Sequence, residues 1–116
     1  MLPKAHRLRS STDFTEVVRR GRRTSRPLLT VHALQSSESA PVQAGLVVSK
    51  AVGGSVVRHR TARRLRHLLR DRLTSLPTGV RLVVRAAPAA GAAPSSALAA
   101  DLDAALAGAL RPRSRP

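Results

Sequence analysis

Apolar residues recur along this chain in two periods, and the change from one to the other marks out its elements. Hydroxyls and a carboxylate collect at Ser10-Ser11-Thr12-Asp13, just ahead of Phe14, Val17 and Val18 spaced i, i+3, i+4, and Gly21 follows as a stop. This predicts a first helix over 11–20. The run Leu28, Leu29, Thr30, Val31, His32, Ala33 is short, apolar and β-branched, as a strand should be, and Ser-rich Gln35 to Pro41 ends it. A second run, Gly45-Leu46-Val47-Val48-Ser49, comes soon enough for the two to be expected as an antiparallel hairpin.

Lys50 to Ser55 then supplies glycines and a serine able to cap a long helix over 56–76. In that helix Val57, Thr61, Leu65, Leu68, Leu69 and Leu76 lie on one face, with Ala62 at its margin, so this face should enter the core. Pro77-Thr78-Gly79 breaks the helix. Leu82-Val83-Val84 forms a third strand, with Arg81 and Arg85 leaving one face of the sheet by the period of two. Pro88 to Ser96, dominated by Ala, Gly and Pro, reads as a flexible connection. Leu98, Leu102, Leu106 and Leu110 then mark a last amphipathic helix over 97–110. The order helix, strand, strand, helix, strand, helix predicts an α+β domain with a small sheet.

Charge changes this picture from a generic small domain to one with a polyanionic partner. Lys plus Arg number 21 against 6 Asp plus Glu in 116 residues, for a formal charge of +15. A chain of this length holds one compact domain. Only Lys4 and Lys50 are lysines, and guanidinium groups bind phosphates bidentately and stack on bases where ammonium groups cannot, which favours nucleic acid over an acidic protein. With no cysteine there is neither a disulfide framework nor a thiolate metal site, which fits a reducing cytoplasm. No stretch approaches the roughly 20 apolar residues of a membrane helix, and one Phe without Trp or Tyr is too little for a basic helix to lie on a membrane surface. A cytoplasmic protein is expected.

The charge concentrates opposite the apolar stripe of the long helix, at Arg58, His59, Arg60, Arg63, Arg64, Arg66, His67, Arg70 and Arg72, where Asp71 is the one acid. His59, Arg63, Arg66 and Arg70 follow i, i+4, i+7, i+11 and form a ridge. Arginines three or four apart repel, so a face with so few acids is stabilised when phosphates neutralise it. The alternative, a merely solvated face, would be expected to carry interleaved acids. Double-stranded RNA offers phosphates and 2′-hydroxyls more readily than base edges, so such a ridge suits recognition of RNA shape.

At this point the residues resemble a family. The stretch Ser49-Lys50-Ala51-Val52-Gly53-Gly54-Ser55-Val56-Val57-Arg58-His59-Arg60-Thr61-Ala62-Arg63-Arg64-Leu65-Arg66 is similar to the signature of the bacterial ribonuclease P protein subunit. There a strand ending in Ser-Lys and a Gly-containing turn lead into a helix bearing an Arg-Asn-Arg motif. The arm ending Arg7-Leu8-Arg9, the helix with Asp13-Phe14 and the Gly21 stop extend the resemblance over nearly the whole chain. The sequence departs from the pattern at His59, where the family has Asn, at Ala62, where it has Lys, and at Val18 and Val31, where it often has aromatics.

The resemblance implies a small mixed sheet with three helices, a ribosomal protein S5 domain 2-like fold with a left-handed βαβ crossover, an exception to the usual right-handed rule. It implies one RNA-binding domain over 1–116, with a basic arm at 1–10 and a tail at 111–116 as its flexible ends. It also implies that the catalyst is an RNA subunit, cutting the 5′ leader from precursor tRNA with bound Mg2+, so the partners are that RNA and precursor tRNA, with no membrane or DNA. Arg58, His59, Arg60, Arg63, Arg64, Arg66 and Arg70 are expected to hold the catalytic RNA. Phe14, Val18, Val31, Ser49 and Lys50 are expected to line a leader cleft between first helix and sheet, although Phe14 and Val18 also read as core. Lys4, Arg7 and Arg9 form the basic arm.

The residues agree that no catalytic centre is expected in the protein. Its acids, Asp13, Glu16, Glu38, Asp71, Asp101 and Asp103, are scattered over separate elements, so no two-metal site is expected. His6, His32, His59 and His67 lack a supporting acid–base constellation, and His59 reads as an RNA contact. A structural ribosome-associated protein is the competing function, argued equally by charge and size, and the Ser49 to Arg66 motif discriminates against it. A DNA-reading module would want a second short helix before the basic one, where this chain has a strand.

Overall fold

The computed structural model describes residues 6–8, 10–35 and 40–110. Helix α1 spans Ser11–Arg20, strand β1 Arg22–Ser25, β2 Leu29–Gln35, β3 Gln43–Val47, helix α2 Ser55–Arg72, β4 Val80–Ala86 and α3 Ser95–Ala109. Short 3-10 turns lie at Lys50–Val52, Leu73–Ser75 and Pro88–Ala92.

The first helix starts and stops where its sequence directs. Ser10 accepts a hydrogen bond from the Asp13 backbone N–H at 3.1 Å, and the Gly21 N–H closes the other end on the Val17 carbonyl. The second helix differs from expectation at both ends. Gly54 is its N-cap and gives no side-chain bond, so Ser55 is the first helical residue and not the cap. The regular helix ends at Arg72, and Leu73 to Ser75 continue as a 3-10 turn that still buries Leu73. Thr61, Leu65 and Leu69 are buried on the expected stripe, and Thr61 discharges its hydroxyl on the Val57 carbonyl at 2.8 Å.

The sheet has four strands in the order β1-β2-β4-β3. β1 pairs antiparallel with β2, β2 antiparallel with β4, and β3 parallel with β4. Two expectations fail here. β1, Arg-Arg-Thr-Ser, carries no apolar residue, so neither hydrophobic period marks it. The hairpin expected between β2 and β3 is instead formed by β1 and β2, while β4 inserts between β2 and β3 and is joined to β3 through α2. That crossover makes the sheet mixed.

The two faces of the sheet are covered unequally. Leu29, Val31 and Ala33 of β2, Ala44 of β3, and Val80, Leu82, Val84 and Ala86 of β4 meet α2 and α3 in the main core. On the other face α1 presses Val17 on Val83, with Leu8, Phe14, Val18, Leu34 and Val47 around them. β4 is thus apolar on both faces except at Arg81 and Arg85. Leu98, Leu102 and Leu106 of α3 are buried as expected.

The Ala- and Pro-rich connection is ordered, contrary to its reading as flexible. Ala90, Gly91 and Ala93 are buried in it, and a Cβ at Gly91 would collide with the Val52 carbonyl oxygen. At the other end of the chain, Arg7 bridges in parallel to Ala44 at the edge of β3. His6 Nδ1 lies 2.6 Å from the Val42 carbonyl oxygen, and the Leu8 N–H donates to Ala44 at 3.1 Å.

Candidate nucleic-acid interface

The arginines of α2 divide between two duties. Arg60 donates to the Gly91 carbonyl and Arg64 to the Ala93 carbonyl, each at 3.1 Å, so these two clamp the Pro88–Ala92 turn. Arg72 forms a two-pronged pair with Asp103 of α3, Nε to Oδ1 at 2.5 Å and Nη2 to Oδ2 at 3.1 Å. That pair raises the Arg72 pKa and lowers that of Asp103. Arg58, Arg60 and Arg64 are half-buried, whereas His59, Arg63, Arg66 and Arg70 are exposed. Arg60 and Arg64, expected among the residues that hold the catalytic RNA, lie beside the core stripe, one position before Thr61 and Leu65. The ridge itself is His59, Arg63, Arg66 and Arg70. Its central part lines a hollow of about 310 Å³ with Ala62.

Arg66 also reaches a second hollow, of about 250 Å³, lined by Arg7, Leu8, Phe14, Ala44, Gly45 and Leu46. The ridge and the α1 side of the sheet therefore meet at the β3 edge. Phe14 fits there because Gly45 has no side chain: a Cβ would run into its ring.

Farther across the same sheet face, Val18, Arg23, Thr30, His32 and Arg85 line a hollow of about 220 Å³. Register explains this set, since Arg23 stands opposite His32, His32 opposite Val83, and Thr30 opposite Arg85. Val31, expected in this cleft, is fully buried on the opposite face among the main-core residues. The strand's own period of two carries the missed signal: Leu29, Val31 and Ala33 claim the core, which leaves Thr30 and His32 for α1. His32 is buried, with Nδ1 unpaired among the described residues. Its pKa is lowered by burial first and then by the Arg23 and Arg85 charges.

Ser49 and Lys50 are exposed just beyond β3, at the turn that leads to α2. Arg7 is exposed beside the Phe14 hollow. Lys4 and Arg9 lie outside the described residues.

The acids stand apart from this surface. Arg81 gathers Asp13 and Glu16, each at 2.6 Å, on the far flank of α1. Asp101 accepts from the Leu28 N–H at 2.9 Å and lies near Arg26, and Asp71 lies near His67. With Asp103 held by Arg72, four of the five carboxylates among the described residues are paired with arginine, and no three His, Asp or Glu side chains gather there as a metal-binding group.

The family model for Ribonuclease P matches residues 2–110 of this chain. The chain belongs to the ribonuclease P protein family. The ribonuclease P protein component of Streptomyces avermitilis is 57% identical over 114 residues, covering 91% of this chain and 93% of that protein. That of Salinispora tropica is 49% identical over 133 residues, covering 99% and 98%. Among solved structures, the Staphylococcus aureus RNase P protein superposes with a TM-score of 0.82 at 22% identity, over 92% of this chain and 97% of that one. The RNase P protein from Thermotoga maritima gives 0.74 at 19% identity, over 85% and 93%. The ribonuclease P fold is thus shared at low identity, and nothing favours the ribosome-associated alternative.

Proposed function

We propose that this chain holds the catalytic RNA of ribonuclease P on His59, Arg63, Arg66 and Arg70, and takes the 5′ leader of precursor tRNA into the groove between α1 and the sheet. The observation that carries this reading is the junction at Arg66, which belongs both to the α2 ridge and to the Phe14 hollow. One RNA docked on the ridge would thus stand beside a second strand in the groove. Phe14 offers a ring for stacking, Val18 an apolar floor, and Thr30, His32 and Arg85 polar groups farther along.

Mg2+ in this reading is bound by the RNA subunit and supplies the chemistry of leader removal there. The protein raises the affinity for leader-bearing substrate and stabilises the RNA fold, in the bacterial cytoplasm. Cleavage of precursor tRNA at low magnesium by a bacterial catalytic RNA, with and without the protein, tests the whole reading, and absence of stimulation would overturn it. For the groove, a cross-linker placed beside Phe14 should capture nucleotides upstream of the cut. Capture of mature-tRNA nucleotides alone would remove the leader from it.

A further inference from the structure

The run Arg19-Arg20-Gly21-Arg22-Arg23 is not absorbed by the ridge or by the Phe14 end of the groove. Arg20 is turned towards Glu16, at 3.7 Å. Arg19 and Arg23 are exposed, and neither forms an ion pair with a carboxylate among the described residues. Arg23 is steadied by Nε donating to Ser25 Oγ at 3.3 Å, and it closes the β1 end of the hollow containing Val18, His32 and Arg85. Arg19 follows Val18 on α1.

We propose that the leader leaves the groove at this β1 end, and that Arg19 and Arg23 bind phosphates of the leader nucleotides farthest from the cut. The inference rests on the reading that the leader lies in the groove. Polarity follows from the two ends. At the β3 edge the groove meets Arg66 and the ridge assigned to the catalytic RNA, so the scissile bond belongs on that side. From β3 to β1 the sheet spans three strand spacings, about 14 Å, enough for a few nucleotides of single strand. The far end therefore receives the upstream part of the leader.

Charge supports the same direction. The α1 acids, Asp13 and Glu16, are drawn to the opposite flank by Arg81, and no carboxylate among the described residues lines the β1-end hollow. Arg23 and Arg85 thus give this end of the groove two cations that an RNA backbone would neutralise, and Arg19 stands exposed on the adjoining last turn of α1, beside Glu16 and Arg20. Single-stranded RNA is favoured over a duplex because the hollow, about 220 Å³, lies between a helix and a sheet and is too small for a double helix.

The test uses the reconstituted protein–RNA holoenzyme and precursor tRNAs with leaders graded from about four to about sixteen nucleotides. For the native protein, affinity should rise with leader length and then level off. The double variant Arg19→Ala/Arg23→Ala should bind the longest leader about tenfold more weakly and the shortest with less than about a twofold change. Its log–log salt slope should be shallower by about 1.4 for long leaders, because two single-strand phosphates are no longer neutralised. Arg19→Lys/Arg23→Lys should recover most of the affinity.

An equal weakening at every leader length would place the patch on the catalytic RNA or the tRNA body and overturn the proposal. So would unchanged binding at every length. If the double variant shows the length-dependent weakening while cross-linking from Phe14 reaches mature tRNA alone, the patch stands as a leader-binding site and the groove reading fails by itself.

Discussion

His32 shows how much one residue of register decides. Val31 and His32 are neighbours, yet a side-chain period of two places the first in the main core and the second under α1. The aromatic often found on this strand in the family corresponds most simply to Val31, because an apolar residue is the natural substitute for a ring. The alternation Leu29, Val31, Ala33 is legible in the sequence and argues for His32 instead. What cannot be read locally is that α1 and two arginines bury the imidazole. Burial and the Arg23 and Arg85 charges hold its folded pKa below the unfolded value. The unfolded chain therefore takes up the proton first as pH falls, and the stability that His32 contributes at neutral pH declines below about 6.5. Denaturant titrations on either side of that pH should show a larger drop for the native protein than for His32→Gln. Equal drops would mean that His32 is not the group responsible.

Phe14 makes a second residue-scale case. Its helical position is clear from sequence, but its seat on Gly45 joins distant parts of the chain and has no local signature. Gly45→Ala should lower stability by about 1–3 kcal/mol through overpacking, read as a reduced denaturant midpoint. It should also shift cross-links from the groove, since the ring must move.

At the scale of elements, α2 carries both structure and interface on neighbouring rows. Arg60→Ala or Arg64→Ala should each cost about 1 kcal/mol of stability by orphaning a bonded carbonyl, measured by thermal or chemical unfolding. Arg63→Ala with Arg66→Ala should leave stability within about 0.5 kcal/mol but make the salt dependence of RNA affinity shallower, by about one unit for each phosphate left unneutralised. If the first pair changed only the salt slope and the second only stability, the division of the helix would be reversed. The sequence identifies the stripe and the ridge because helical period fixes them. It does not show that Arg60 and Arg64 bond within the fold, since their partners are backbone carbonyls of a segment with no periodicity. β1 escapes sequence reading for a related reason: a polar edge strand is recognised by its pairing, and pairing is tertiary.

For the whole molecule, the α+β class and all three helices are legible in the sequence, whereas the strand order is not. Local spacing allows β2 and β3 to be neighbours, but β4, apolar on both faces and able to fill a central position, separates them. Arg81 is one of two exceptions in that strand, nearly buried beneath two partly exposed carboxylates. Arg81→Met should cost about 2 kcal/mol by removing the cation that Asp13 and Glu16 share, which leaves only the more distant Arg20 beside Glu16. Chemical unfolding of the variant beside the native protein checks this.

The clamp on the Pro88–Ala92 turn also bears on which positions are free to drift. Arg60 and Arg64 grip carbonyl oxygens, which every amino acid possesses, so the turn is recognised by its backbone and is nearly indifferent to its outward side chains. Pro88, Ala89 and Ala92 are exposed and can vary with little consequence. The constraint falls on the distant arginines, and on Gly91, where a methyl group has no room.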